Sequence, residues 1–232
     1  MYVRLKHTLS ALALQALRQP IRGARQGAVS WLTAFCDLAS GKDGVRFELP
    51  TAAVASRARQ ARGLDVLLKT GLLERHDDIL SLPQGFRPHF PYLTRQVHRL
   101  NDALRALARA TRLRGRGAVI QKGAALFNAG LFFECHEFLE GAWRSAPAAE
   151  RPFYHGVILV AAAFYHHEKG NLHGARIKLT EGMKHLQPFL PVSHGVRLDR
   201  WLTALGPWKD RLDAGQVSGV LRTSEIPRIR GS

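Results

Sequence analysis

The chain is poor in sulfur and in acid. Two cysteines in 232 residues, Cys36 and Cys135, exclude a disulfide-stapled scaffold and any Cys-x-x-Cys zinc module. Both lie in apolar stretches, which fits reduced, buried thiols in a cytoplasmic protein. No apolar run reaches the ~18 residues that a membrane span needs. The longest, 156–165, is followed at once by His166-His167-Glu168-Lys169. Gln15, Arg18 and Pro20 interrupt the apolar stretch behind the basic start, so no signal peptide is expected. The first 30 residues contain no acid. Organellar transit peptides share that feature, and this alternative stays open. Ser-His-Asp, P-loop and Gly-x-Gly-x-x-Gly signatures are all absent.

What is present begins with charge. Lys and Arg number 34 against 18 Asp and Glu, a formal net charge of +16, and 46% of residues are hydrophobic. That hydrophobic share supports a buried core and excludes wholesale disorder. Residues 1–120 hold 20 basic and 8 acidic side chains, and residues 121–232 hold 14 and 10. Seven of the eleven histidines fall in the second stretch. A basic N-terminal half and a near-balanced, His-rich C-terminal half are therefore expected to act differently.

In the first half, helical spacing predicts helices over 3–18 and 29–39. An alternating strand is predicted at 45–49. Thr51 is placed to cap a helix reaching about Arg57, and a further helix runs over 64–69 to Gly71. Two short apolar strands around His76-Asp77-Asp78 read as a hairpin. Strand, helix, turn, helix and hairpin in that order resemble a winged-helix module spanning 1–90. Arg57, Arg59, Arg62 and Lys69 would then supply phosphate contacts to a nucleic acid. The alternative is a packing module with a solvated basic face. Pro83 to Pro91 reads as a linker or a turn-rich crossover. Residues 91–117 read as a basic helix, predicted over 93–113, and a linker without the interleaved aromatics of a base-stacking surface.

Residues 118–206 read as an antiparallel helical bundle, with helices over 118–128, 131–145, 152–169 and 171–188 and a shorter one over 198–205. Residues 207–232 are left as a C-terminal extension. The fold class is therefore mostly α: a helical bundle joined to a basic, winged-helix-like α+β module. The 152–169 helix is apolar on most sides and should be central.

The chemistry-bearing segment is Phe132-Phe133-Glu134-Cys135-His136-Glu137-Phe138-Leu139-Glu140-Gly141-Ala142-Trp143. At helical spacing His136, Glu140 and Trp143 share a face within an aromatic stripe, with Glu134 and Glu137 on the other side. A His and a Glu buried there must be paired, hydrogen-bonded or metal-bound. An antiparallel neighbour brings His166 or His155 towards them, and Tyr154 or Tyr165 adds a hydroxyl. Three readings compete. One is a hydrogen-bonded network that fixes the bundle. The second is a divalent-metal centre from His136, Glu140 and His166. The third is a metal-free acid/base pair, His136 and Glu140, acting on a small ligand. His136-Glu137 is not an HExxH motif, because position 140 is Glu.

Several segments together carry a resemblance. They are Phe127-Asn128-Ala129-Gly130, the His136, Glu140 and Trp143 spacing, Arg151-Pro152-Phe153, residues 156–163, and Gly170-Asn171 with Gly174-Ala175. Over roughly 121–190 the chain resembles family 309 of the domains of unknown function, marked by a His-x-x-x-Glu-x-x-Trp motif in a small all-α bundle. Cys135 stands where Ala is usual, and Tyr154 where Gln is common. The resemblance implies the fold and singles out His136, Glu140 and Trp143. It implies no activity. Three functions remain in view: a metal- or small-ligand site in the bundle, nucleic-acid association through residues 1–117, and a helical interaction scaffold that forms a homodimer. No membrane partner is expected.

Overall fold

The computed structural model describes residues 1–18, 24–41, 44–58, 62–110, 115–216 and 225–231. The chain divides into two compact units, 1–108 and 109–232, and it is mostly helical. No helix among the described residues is long and apolar enough to cross a membrane.

The first unit opens with helices α1 (Tyr2–Arg18) and α2 (Ala24–Ala39). Leu5, Leu9, Leu12 and Leu17 of α1 are buried, as are Trp31, Leu32 and Phe35 of α2. These are the apolar positions whose helical spacing predicts the two elements. The expected strand at 45–49 is broken in two. Strand β1 (Ser40–Gly41) pairs with β2 (Gly44–Val45), and a separate strand β3 (Glu48–Pro50) joins a second sheet. The chain changes partner between them: the Arg46 amide donates to the Ala39 carbonyl at 2.9 Å, and the Phe47 carbonyl accepts from Leu82 N–H at 2.9 Å.

Helices α3 (Thr51–Ala58) and α4 (Leu64–Lys69) follow, then the hairpin β4 (Glu74–His76) and β5 (Ile79–Ser81). Thr51 does not cap α3 with its side chain. Its N–H donates to the Asp78 carbonyl at 2.7 Å, and its buried Oγ1 has no hydrogen-bond partner among the described residues. The hairpin strand starts at Glu74 because Leu72 and Leu73 turn into the core. Asp77 makes the tight turn with φ of 50°, a conformation Asp tolerates through local hydrogen bonding. β5 lies between β3 and β4, antiparallel to both, with Leu80 opposite Leu49 and Arg75.

The 83–91 segment is no linker. Gln84–His89 is a 3-10 turn that buries Phe86, and helix α5 starts at Phe90 and runs to Arg109. Pro91 is accommodated because a first-turn proline sacrifices no intrahelical bond. Phe90, Leu93, Val97 and Leu100 form the buried stripe of α5.

The second unit consists of α6 (Gly115–Asn128), α7 (Phe132–Ser145), α8 (Arg151–Glu168), α9 (Leu172–Leu186), a 3-10 turn (Gln187–Phe189), a ribbon of β6 (Val192–Ser193) and β7 (Val196–Arg197), and α10 (Leu198–Asp213). α8 is the central helix, packed between α7 and α9. Small residues set the spacing. A Cβ on Gly182 of α9 would stand 2.9 Å from the Gly156 carbonyl oxygen of α8. Gly123 lets α6 meet Leu139 of α7 equally closely. Gly130 and Gly170 end α6 and α8 with φ of 78° and 73°, which only glycine adopts without steric cost. Asn171 caps α9, its side chain accepting from Gly174 N–H at 2.8 Å.

α10 does not stop at Gly206-Pro207. Buried Leu198, Trp201, Leu202, Leu205, Trp208 and Leu212 continue one apolar stripe through the proline to Asp213. Pro207 removes one helical hydrogen bond, and the burial of Trp208 and Leu212 beyond it outweighs that loss.

Candidate functional site on α7

The turn of α7 from His136 to Glu140 brings together three donor groups. One ligand atom each from His136, Glu137 and Glu140 lies within 4.8 Å of the other two. His136 Nδ1 stands 3.3 Å from Glu137 Oε1. Glu140 Oε1 accepts from Arg144 Nη2 at 2.9 Å, one helical turn on. That guanidinium holds the Glu140 carboxyl below its ordinary range, with His136 adding a smaller contribution. Glu140 is therefore ionised at neutral pH, the form that binds a cation.

The site is half-exposed rather than buried. The side chains of His136, Glu137 and Glu140 retain 35%, 39% and 32% of their accessible surface, and Trp143 is half-buried. The buried face of α7 is instead Phe132, Cys135 and Leu139, joined by Glu134 at 4%. Glu134 was expected to project away from the core. Cys135 anchors the buried face, its thiol donating to the Gly123 carbonyl at 3.3 Å. Rotating one residue from that face puts His136 and Glu140 at its solvent edge.

The helix register decides which histidine joins. Phe133 meets Tyr165 with ring centroids 5.5 Å apart, and Trp143 meets His155 at 6.1 Å. Antiparallel α7 and α8 in this register set position 162, an alanine, across from His136. His166 lies a turn further along. Its Nδ1 is 3.1 Å from Asn171 Nδ2, so it serves the α8–α9 turn. His166 is not among the grouped donors, and Glu137 takes the third place.

His155 lies along the same side of α8, beside Trp143 and against His185 of α9, with the two imidazole centroids 4.7 Å apart. Burial lowers the His155 pKa, and His185 and Lys178 add to the effect. Tyr154 points elsewhere. It is 2% exposed, packed edge-on to Phe153 and His194, and its phenol is pushed up by burial and by Glu150.

No motif or spacing pointed to His194. Its Nδ1 is 2.7 Å from Ser193 Oγ and its Nε2 is 3.3 Å from Glu150 Oε2. Phe153 stacks on its ring at 4.1 Å, and Arg116 bonds the other oxygen of Glu150. This polar clip ties the start of α8 to the β6–β7 turn.

The basic residues of the first unit are dispersed. Arg57 pairs with Asp37 at 3.5 Å, and His98 Nε2 meets the same carboxylate at 3.1 Å. Arg62 and Lys69 are exposed. Arg59 lies outside the described residues.

A family described as a domain of unknown function (DUF309) matches residues 120–177, so the resemblance read from the His136, Glu140 and Trp143 spacing holds over that segment. "Uncharacterized protein YpuF" of Bacillus subtilis (strain 168) is 40% identical over 57 residues, covering 24% of this chain and 33% of that protein. The chain thus spans about a third of the length of the curated relative it matches. No solved structure matches. The matched segment contains α7 and α8 and hence the His136, Glu137 and Glu140 group.

Proposed function

We propose that the second unit is a divalent-cation-binding helical bundle whose ligands are His136, Glu137 and Glu140. The observation that carries this reading is the grouping of one imidazole and two carboxylate donors within 4.8 Å on one helical turn. Imidazole with carboxylates suits zinc, manganese, iron(II) or nickel. Metal–ligand bonds of ~2.0–2.2 Å need the three donors to close up, and half-exposed side chains can do so by rotation. Glu140 must leave Arg144, and an exposed ion pair of that kind is worth only ~0–1 kcal/mol. Three protein ligands at a solvent edge leave coordination positions open to water or substrate, the arrangement of a catalytic rather than a structural metal. Trp143 and the His155–His185 pair flank those positions.

Titration of the full chain with Zn²⁺ and Mn²⁺ tests the reading. The expected result is a single bound equivalent, lost in His136→Ala and in Glu140→Gln with the helical circular dichroism unchanged. No binding of Zn²⁺, Mn²⁺, Ni²⁺ or Co²⁺ by the wild-type chain would refute it.

We infer a second role for the first unit, as a winged-helix-like module that binds nucleic acid. The supporting observation is its three-stranded sheet, with the hairpin strand β5 in the middle and the hairpin directly after α3 and α4. Exposed Arg62 and Lys69 are the expected phosphate contacts. Duplex DNA binding should weaken with salt, and each of Arg62→Gln and Lys69→Gln should reduce the logarithmic salt slope by about 0.9. An unchanged slope in both variants removes the role.

A further inference from the structure

Residues 225–231 return across the second unit as an extended segment fixed at both ends. Trp208 Nε1 donates to the Glu225 carbonyl at 3.1 Å, and Trp201 Nε1 to the Pro227 carbonyl at 3.0 Å. The Asn128 amide makes two reciprocal bonds to the Ile229 backbone, each 2.8 Å. Arg197 N–H donates to the Arg230 carbonyl at 3.2 Å, and Val196 bridges to Gly231. Ile226 and Ile229 are buried at 4% and 5%, whereas Arg228 and Arg230 are exposed. From Pro227 onward burial alternates, which turns two arginines outward on a backbone held by these hydrogen bonds.

These two arginines do not stand alone. With Arg197 and Arg200 at the start of α10 they line one cavity of about 320 Å³, whose remaining walls are Trp201, Ala204 and Ile226. Arg197 already carries a carboxylate: Asp199 accepts from its Nε at 3.0 Å and its Nη2 at 2.6 Å. Arg228 and Arg230 have no salt bridge among the described residues, and Arg200 touches the Asp199 carboxylate only through its backbone N–H and a weaker long-range attraction. Like charges gathered from two chain segments repel one another. A solvated basic surface relieves this by spreading its charges, whereas here the fixed tail holds them around one hollow.

We propose that this pocket binds the phosphate monoester group of a small ligand. Arginine forks match phosphate oxygens bidentately, and three guanidinium groups whose N–H donors carry no bonded carboxylate among the described residues suit a dianion. The volume is that of a small-molecule site, at the low end of ~300–1,000 Å³, and holds a phosphate with a sugar-sized body. Arginines converging on one half-open hollow favour such a ligand over a nucleic-acid backbone, which needs a charged track. The site lies outside residues 120–177 and is independent of the metal reading.

Calorimetric titration of the full chain at ~50 mM salt tests it, with ribose 5-phosphate, inorganic phosphate and a short single-stranded oligonucleotide as probes. Ribose 5-phosphate should bind with a submillimolar constant, and inorganic phosphate should compete for the same site. Binding should weaken ~tenfold or more in the Arg228→Gln, Arg230→Gln double variant and several-fold in Arg200→Gln. It should be unchanged in Arg176→Gln, an exposed arginine elsewhere, and in His136→Ala. Affinity should fall below about pH 6, where the monoester loses its second charge. These side chains are exposed, so the variants should retain wild-type unfolding midpoints. Three results would each overturn the proposal: no ribose 5-phosphate binding up to ~10 mM, equal weakening by Arg176→Gln, or tighter, pocket-dependent binding of the oligonucleotide.

Discussion

Replacing His167 with leucine should stabilise the protein, and more so in mild acid. His167 lies in the last turn of α8 at 7% exposure. Neither ring nitrogen has a hydrogen-bond partner among the described residues. Trp208 meets the ring edge-to-face with centroids 5.6 Å apart, and Ala163, Phe164, Leu179 and Leu212 complete an apolar surround. A buried polar group left unpaired costs about 1–3 kcal/mol. Leucine removes both such groups at similar volume. It forfeits an aromatic edge contact worth about 0.5–1.5 kcal/mol. Counting the two ring nitrogens as one buried polar group, the midpoints of these two costs leave a gain of about 1 kcal/mol at neutral pH.

The pH dependence has a definite sign. Burial, the largest cause, lowers the His167 pKa; Glu168 pulls the other way, and Arg211 adds a smaller lowering. In the unfolded chain the imidazole titrates near 6.5. As pH falls below ~6.5 the unfolded chain takes up a proton that the folded chain refuses, so wild-type stability declines. His167→Leu lacks that linkage, and its advantage should widen between about pH 7.5 and pH 5.5. Urea unfolding followed by circular dichroism at both pH values measures it. A variant less stable than wild type at both, or an advantage that does not change with pH, would refute the assignment of a neutral, unpaired imidazole.

Gly182→Ala should destabilise by about 1–3 kcal/mol, the cost of overpacking, because its Cβ would meet the Gly156 carbonyl and the Val160 backbone at 2.9 Å. Gly141→Ala should gain about 0.5–1 kcal/mol, since nothing lies within 4 Å of that Cβ; thermal unfolding midpoints should move in opposite directions for the pair. Asn171→Ala should cost about 1 kcal/mol, as loss of a side-chain cap does, read from the same midpoints. Burial pushes the Cys36 thiol up to about 12 and raises Cys135 as well; neither should react with a thiol reagent at about pH 8 until denaturant is added.

The helices were legible where their ends are chemical. Gly130, Gly170 and Asn171 mark the turns of the second unit within a residue or two, because positive φ and side-chain capping are properties of the residues themselves. The Asp77 turn is local in the same sense. Elements that depend on distant partners were not legible. The β1–β2 and β6–β7 ribbons are two residues long on each side and carry no periodicity to read. Pro207 looked like a stop because its effect is local, whereas the burial of Trp208 and Leu212 that carries α10 past it is tertiary.

The α7 site shows the same division. The spacing of His136, Glu140 and Trp143 is a property of one helix and survives in the fold. Burial and partnership are properties of two helices. Cys135 rather than His136 faces α6, and the register fixed by Phe133 with Tyr165 carries His166 past the site. Glu137, dismissed by a helical wheel because it is one residue from His136, reaches back along the surface to His136 Nδ1, since a half-exposed carboxylate is free to do so.

Net charge misleads about location for a related reason. The sequence places most of the positive excess in residues 1–120, which points the search for anionic partners at the first unit. Yet Arg57 is committed to Asp37 there, and Arg62 and Lys69 are separate exposed side chains. Three arginines without a salt bridge among the described residues converge instead in the nearly balanced second unit, because the tryptophan and asparagine side chains that pin residues 225–231 bring sequence-distant charges to one hollow. A field strong enough to hold a dianion depends on the distance between charges and on their freedom from carboxylates. Both are set by tertiary hydrogen bonds, and neither enters a count of Lys and Arg.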